Sequence, residues 1–269
     1  MDIIKAIILG VVQGLTEFLP ISSSGHLVLA AELLNFHEEG VAFEVFVHIG
    51  TLLSVLIAFR ADIIKMITAP FKLWRNKDTT VEMHEYALWD LYIIVGTIPA
   101  AIIGLAFKDL IETFFSNILL VILMLFITGT FLILSGKIKK QDGQVTFLRS
   151  FIIGCAQACA ILPGISRSGA TIVTGMAIGV ERERAARFSF ILSIPAILGA
   201  GVIKTNDLAT SSISQIEVIY LLVGMLTSFI SGYAAILWLM NLIKKGKLNR
   251  FAYYCYGIVI LALFWFFVL

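Results

Sequence analysis

Charge is what this sequence has least of. Asp, Glu, Lys and Arg make up 14% of its 269 residues, against about 25% in soluble domains. The AVILMFWYC residues make up 59%, and mean hydropathy is +0.97. These values exclude a water-soluble globular enzyme, a disordered chain and a nucleic-acid binder. Cysteine is nearly absent. Cys155, Cys159 and Cys255 lie in apolar segments and indicate neither a disulfide framework nor a zinc site. Cys155 and Cys159 are four apart, and close helix packing by small residues is the expectation for them. Also missing is a basic N-terminal region with a small-residue cleavage site, so the first hydrophobic segment is expected to be kept. At about 20 residues per span, most of the chain must lie in lipid.

Where the few charges sit sets a topology. Six stretches are long enough to cross a bilayer: 41–59, 91–107, 117–136, 187–203, 218–243 and 251–269. Four basic clusters separate them, and they hold 16 of the 20 Lys and Arg residues. The first polar loop has Arg60, Lys65, Lys72, Arg75 and Lys77. The second has Lys137, Lys139, Lys140 and Arg149. Arg182, Arg184 and Arg187 form the third cluster, and Lys244, Lys245, Lys247 and Arg250 the fourth. The positive-inside rule puts all four in the cytoplasm. Segments 37–40, 108–116 and 204–217 and the C-terminus then face outward.

Two apolar stretches, 6–34 and 150–180, are broken by Pro, Gly and Ser and do not fit as simple spans. The second begins and ends beside cytoplasmic clusters, so it must enter and leave on the inner side. The first can do the same from the outer side. Irregular backbone at membrane depth needs cover from protein or water. Both stretches therefore read as re-entrant hairpins lining an internal site. The expected fold is an all-α integral membrane protein with about six transmembrane helices and two such hairpins.

The hairpins also echo each other. A shift of 144 residues lays Gly10 and Gln13 over Gly154 and Gln157, and Ile21-Ser-Ser-Ser-Gly25 over Ile165-Ser-Arg-Ser-Gly169. A second echo relates Leu91–Gly96 to Ile219–Gly224. One membrane domain, 1–269, is thus expected to hold an inverted-topology repeat, with halves of about 1–136 and 150–269. Such repeats place a binding site near the midplane, where their broken helices meet.

Chemistry-bearing residues gather in the two breaks. Gln13 and Glu17 share a helix face, Pro20 ends that helix, and Ser22, Ser23, Ser24 and Gly25 lead into His26. Ionisable groups at membrane depth are functional candidates by default. Arg167 is the one Arg in an apolar region away from the clusters. It lies among Ser166, Ser168, Gly169 and Thr171. A guanidinium beside hydroxyls and a helix N-terminus suits phosphate. It equally suits an ion pair with Glu17, and the pair can serve both ends, bridging when empty and releasing Arg167 to substrate. A carboxylate, an imidazole, hydroxyls and a guanidinium in one pocket suit phosphoryl chemistry. His48, in an apolar span, is expected to make an interhelical hydrogen bond. Glu44 is expected to be interfacial, and Glu181–Arg184 a wetted helix start.

The chain resembles the undecaprenyl-diphosphate phosphatase family of bacteria, the bacitracin-resistance proteins, along its whole length. The resemblance rests on (E/Q)xxxE followed by PxSSxGH, here Gln13–Glu17 and Pro20–His26, and on PGxSRSxxT, here Pro163–Thr171. Gln13 is the Gln variant of the first motif, which leaves one carboxylate there. The resemblance implies hydrolysis of the C55 diphosphate to the monophosphate, recycling a cell-wall lipid carrier in the plasma membrane. It also implies bacitracin resistance, a site reached from the outer face, and a divalent cation, Mg2+ or Ca2+, at Glu17. Glu17, Ser23, His26 and Arg167 become the catalytic set. Gln13, Ser22, Ser24, Gly25, Ser166, Arg167, Ser168 and Thr171 bind substrate. His26 is expected to act as general base toward Ser23 as nucleophile; attack by water or by His26 itself stays open. Expected partners are the lipid substrate and membrane lipid, with self-association into a homodimer left open. A transporter or flippase of the same lipid is the alternative, because inverted re-entrant repeats are also a transporter design.

Overall fold

The computed structural model describes all residues except 1–2, 34–39, 76–79, 140, 209–214 and 269. Residues 37–39 and 209–214 of the expected outer segments, with Lys77 and Lys140, therefore fall outside the described residues. The described chain is helical, in the order α1 (Ile3–Phe18), α2 (Ser23–Leu33), α3 (Gly40–Ala58), α4 (Arg60–Arg75), α5 (Val81–Ala106) and α6 (Lys108–Phe115). Then come α7 (Ile118–Ser135), α8 (Phe147–Cys159), α9 (Arg167–Ala177), α10 (Arg182–Leu208), α11 (Gln215–Lys244) and α12 (Arg250–Val268).

Five helices are long and apolar enough to span a membrane: α5, α7, α10, α11 and α12. The pair α3 and α4, bent by 68° between them, adds a sixth candidate when it is taken as one span. Each expected span thus falls on a helix. The basic stretch after the first span is a correction. It is not a loop but the helix α4, whose Asp62 is buried while its lysines point outward. The span expected at 91–107 begins ten residues earlier, because Thr80 caps α5 by accepting the Met83 N–H.

The two broken stretches are helical hairpins, α1–α2 and α8–α9. Their packing crosses over between the halves of the chain. In the first hairpin, α1 packs on α11, where a Cβ on Gly10 would lie 2.6 Å from the Gly224 carbonyl oxygen. In the second, α8 packs on α5, where a Cβ on Gly154 would lie 2.9 Å from Gly96 Cα. Gly10 matches Gly154 in the first echo, and Gly96 matches Gly224 in the second. The echoed glycines are therefore the points where helix backbones touch. Several other contacts mirror one another too: α3 lies on α11 and α10 on α5, while α7 meets α12 and α3 meets α10. Small residues permit such approach, and membrane helices depend on it for association. Cys155 and Cys159 take no part in it. Both are exposed, and their neighbour Gly154 makes the close contact instead.

Candidate active site

The two hairpin tips are built alike. Ser22 Oγ accepts the Gly25 N–H at the start of α2, at 3.3 Å, and Ser166 Oγ accepts the Gly169 N–H at the start of α9, at 3.1 Å. A second hydroxyl stands 3.2 Å from each capping oxygen, Ser24 in one tip and Ser168 in the other. The repeated Ile-Ser-x-Ser-Gly is thus a helix-capping device. The tips also meet. Gly164 N–H donates to Ser24 Oγ at 3.4 Å, and Ser168 Oγ donates to the Leu19 carbonyl at 3.3 Å. Thr128 of α7 steadies the second tip, giving its hydroxyl hydrogen to Gly164 O and accepting from Ser166 N–H.

This arrangement aims the N-termini of α2 and α9 at one place. Residues Ser23 and Arg167 occupy the first helical position of each. Helix N-termini carry unpaired N–H groups and positive dipole ends, so two of them together favour an anion. Ser22 holds a positive φ of 69°, a strained conformation for a residue with a side chain. The strain turns the chain sharply between Ile21 and the start of α2, with Ser23 next in line.

Glu17 is the hub of the site. One of its oxygens, Oε1, pairs with Arg167 Nη2. The other, Oε2, accepts the Ser23 hydroxyl at 2.7 Å and the Gln13 amide at 3.0 Å. Arg167 Nη1 is buried and has no protein partner, and the same is true of Gln13 Oε1. The guanidinium thus keeps an uncommitted N–H edge.

A cavity of about 400 Å³ opens here. Its polar wall includes Glu17, Ser23, Ser24, Ser166 and Arg167. Its apolar wall is drawn from five helices and the second tip, among them Leu9, Leu27, Phe43, Phe115, Ile161 and Ala200. Of the residues expected to bind substrate, Gln13, Ser22, Gly25, Ser168 and Thr171 do not line it. Gln13 orients Glu17, and Thr171 is buried against Ser189 of α10. The others cap or brace the tips.

The expected hydrogen bond between Ser23 and His26 is not formed. His26 Nδ1 faces the Ser22 carbonyl at 2.8 Å and Nε2 faces the Tyr254 hydroxyl at 3.0 Å. Its ring stacks on that of Tyr254 and stays outside the cavity lining. The reason is helical phase: three residues beyond Ser23, the imidazole folds back on the Ser22 turn and toward α12.

The interhelical hydrogen bond expected of His48 is not formed. His48 and Glu44 both line the cavity. His48 Nδ1 lies 2.7 Å from the Glu44 carbonyl of its own helix, while Nε2 stands 3.9 Å from Glu17 Oε2. Glu44 and His48 stand one turn apart in the sequence, but that spacing does not say which face of α3 meets α1.

The fit of a divalent cation at Glu17 is poor. Both carboxylate oxygens are engaged, and among the described residues no three His, Cys, Asp or Glu side chains converge to hold a metal. Away from the cavity, near the four basic clusters, Arg187 clasps buried Asp62 with contacts of 2.8 and 3.0 Å, and Tyr86 donates to the same carboxylate. Arg184 pairs with Glu85 at 2.5 Å, and Glu181 caps α10 through the Arg184 N–H at 2.9 Å.

Fold and site together define a multi-pass helical membrane protein with a cavity, lined by Glu17 and Arg167, between two facing re-entrant hairpins. The chain matches the family model described as bacitracin resistance protein BacA over residues 6–261, and it belongs to that family. Among its relatives is an undecaprenyl-diphosphatase of Methanobrevibacter smithii, 47% identical over 97% of both chains. Another of the same name, from Halothermothrix orenii, is 42% identical over 98% of both. An undecaprenyl-diphosphatase 2 of Bacillus thuringiensis is 40% identical over 97% of both.

Proposed function

We propose that this chain removes the terminal phosphate from undecaprenyl diphosphate, recycling the lipid carrier for cell-wall synthesis and so conferring bacitracin resistance. One observation carries the reading. A guanidinium with a free N–H edge, two helix N-termini and a carboxylate-held serine converge at the polar end of a cavity that is otherwise apolar. A diphosphate fits the polar end, and a prenyl tail fits the apolar walls and the lipid beyond.

Arg167 and the two helix ends bind and neutralise the diphosphate, which is most of what phosphoryl transfer asks of a protein. Ser23 Oγ attacks the terminal phosphorus. The bridging P–O bond breaks and its electron pair goes to the departing prenyl phosphate. The Ser23 proton moves along its hydrogen bond to Glu17 Oε2 and on to the leaving oxygen. Water then hydrolyses the phosphoserine. His26 braces the strained Ser22 turn. With no cage of protein ligands among the described residues, Mg2+ or Ca2+ is proposed to arrive on the diphosphate itself.

The protein is proposed to reside in the cytoplasmic membrane with the cavity reached from the outer face. The four basic clusters support that orientation. So do Phe115 and Ala200, which line the cavity and lie toward segments expected outside. The paired glycine contacts support an inverted duplication of the halves.

The test is phosphate release from the C55 diphosphate by purified protein in detergent, with and without EDTA. Beside the wild type stand Arg167→Ala and Ser23→Ala. Turnover by the wild type and none by either variant is expected. A folded wild type that binds the lipid through Arg167 without releasing phosphate would favour the transporter.

A further inference from the structure

The seat between His48 and Glu17 is chemically specific. The Glu44 carbonyl can only accept a hydrogen bond, so His48 Nδ1, 2.7 Å away, carries the ring hydrogen that faces it. In the neutral ring, the form in which His48 can accept, that leaves the Nε2 lone pair beside the cavity, 3.9 Å from Glu17 Oε2. Two acceptors cannot bond each other. Their separation is too long for a direct hydrogen bond and suits one small molecule between them. Whatever sits there must offer two hydrogens, one to each side. A phosphate oxygen cannot, whereas a water can.

Resting on the phosphatase reading above, we propose that His48 and Glu17 seat the water that attacks the phosphoserine. The seat shares Glu17 Oε2 with the Ser23 hydroxyl, so the water starts beside the oxygen that carries the phosphoryl group. The water oxygen bonds to phosphorus, and the P–Oγ bond breaks with its electron pair on Ser23. One water proton passes through Glu17 Oε2 to Ser23 Oγ. The other, held toward His48 Nε2, stays on the released phosphate as its hydroxyl. His48 is thus a water-positioning residue and keeps its own hydrogen throughout. An amide carbonyl of the right reach does the same job, as glutamine does for attacking water in some nucleotide hydrolases.

The experiment uses the full-length protein in detergent with the C55 diphosphate. It compares His48→Leu, His48→Gln and His48→Asn, reading kcat, KM and the intact mass of protein quenched during turnover. His48→Leu is expected to lower kcat by about 100-fold, the low end for a lost catalytic hydrogen bond, with KM falling alongside it because the phosphoserine builds up. It should also accumulate one phosphoryl group, absent when Ser23→Ala is added. His48→Gln should stay within about tenfold of the wild type, as its carbonyl reaches the seat. His48→Asn, the same amide one methylene shorter, should resemble His48→Leu and decides the matter where His48→Leu fails to fold. Wild-type kcat in both His48→Leu and His48→Asn would overturn the proposal, as would a loss confined to KM. So would EDTA sensitivity that vanishes in His48→Leu, which would put a cation in the seat. A wild type that releases no phosphate sinks the phosphatase reading instead, a distinct failure.

Discussion

At the scale of residues, the site is organised by what Glu17 holds. Its negative charge is buried and matched by Arg167. Removing one partner of a buried pair leaves an uncompensated charge, and Arg167→Ala is expected to destabilise the protein by about 3–5 kcal/mol. Glu17→Gln combined with Arg167→Ala should recover most of that loss while turnover stays absent. Thermal unfolding in detergent, read beside phosphate release, checks both. A double variant no more stable than the single one would mean that the pair is not coupled. Tyr254→Phe removes the hydroxyl that meets His26 Nε2 and should cost about 1 kcal/mol, with kcat lowered less than tenfold. A far larger drop in kcat would put His26 back among the groups that move protons. Glu17, Ser23 and Arg167 were legible in the sequence because ionisable groups and Ser–Gly breaks stand out against an apolar background. His48 was not, because its environment depends on which face of α3 meets α1. No spacing within α3 reveals that.

At the scale of elements, every span and both hairpins could be read from hydropathy, proline and the basic clusters. The helical state of α4 could not, since a basic, moderately polar stretch looks like a loop until Asp62 finds Arg187 and Tyr86. The matched glycines lead to a sharper expectation. A side chain on Gly154 must enter the Gly96 backbone, which cannot move aside as a flexible side chain would. Gly154→Leu should therefore lower stability by more than the about 1–3 kcal/mol typical of core overpacking. Gly199 is the control, because nothing lies within 4 Å of a Cβ placed there. Gly199→Ala should leave the unfolding temperature unchanged, or raise it by the helix preference of Ala, worth up to about 1 kcal/mol. Equal losses in both variants would show that α8 and α5 do not rely on this contact. The Cys155 and Cys159 expectation failed for a related reason: spacing identifies a face but not its neighbour, and that face is open.

At the scale of the whole molecule, the two ends of the fold differ in kind. Asp62, Glu85, Arg184 and Arg187 knit α4, α5 and α10 together on the side of the basic clusters. The cavity is lined by Phe115 of α6 and by Ala200 of α10, thirteen residues beyond Arg187 on the same helix. An ion-paired end and an open end are what a hydrolase working from one side of the membrane needs, because substrate enters and phosphate leaves by the same mouth. The orientation rests on the basic clusters, and it can be measured directly. In a background where the three native cysteines are serine, Lys72→Cys on α4 and Asp109→Cys on α6 place one thiol at each end. A membrane-impermeant maleimide applied to intact cells should label Asp109→Cys and spare Lys72→Cys until the membrane is opened with detergent. Lys72 is exposed, as is Asp109, so neither position is shielded by the protein itself. The reverse pattern would turn the cavity toward the cytoplasm and make the hydrolysed lipid an inner-leaflet one. Labelling of both thiols in intact cells would mean that chains of both orientations occur. Either result would break the link between the basic clusters and the side from which the diphosphate is drawn.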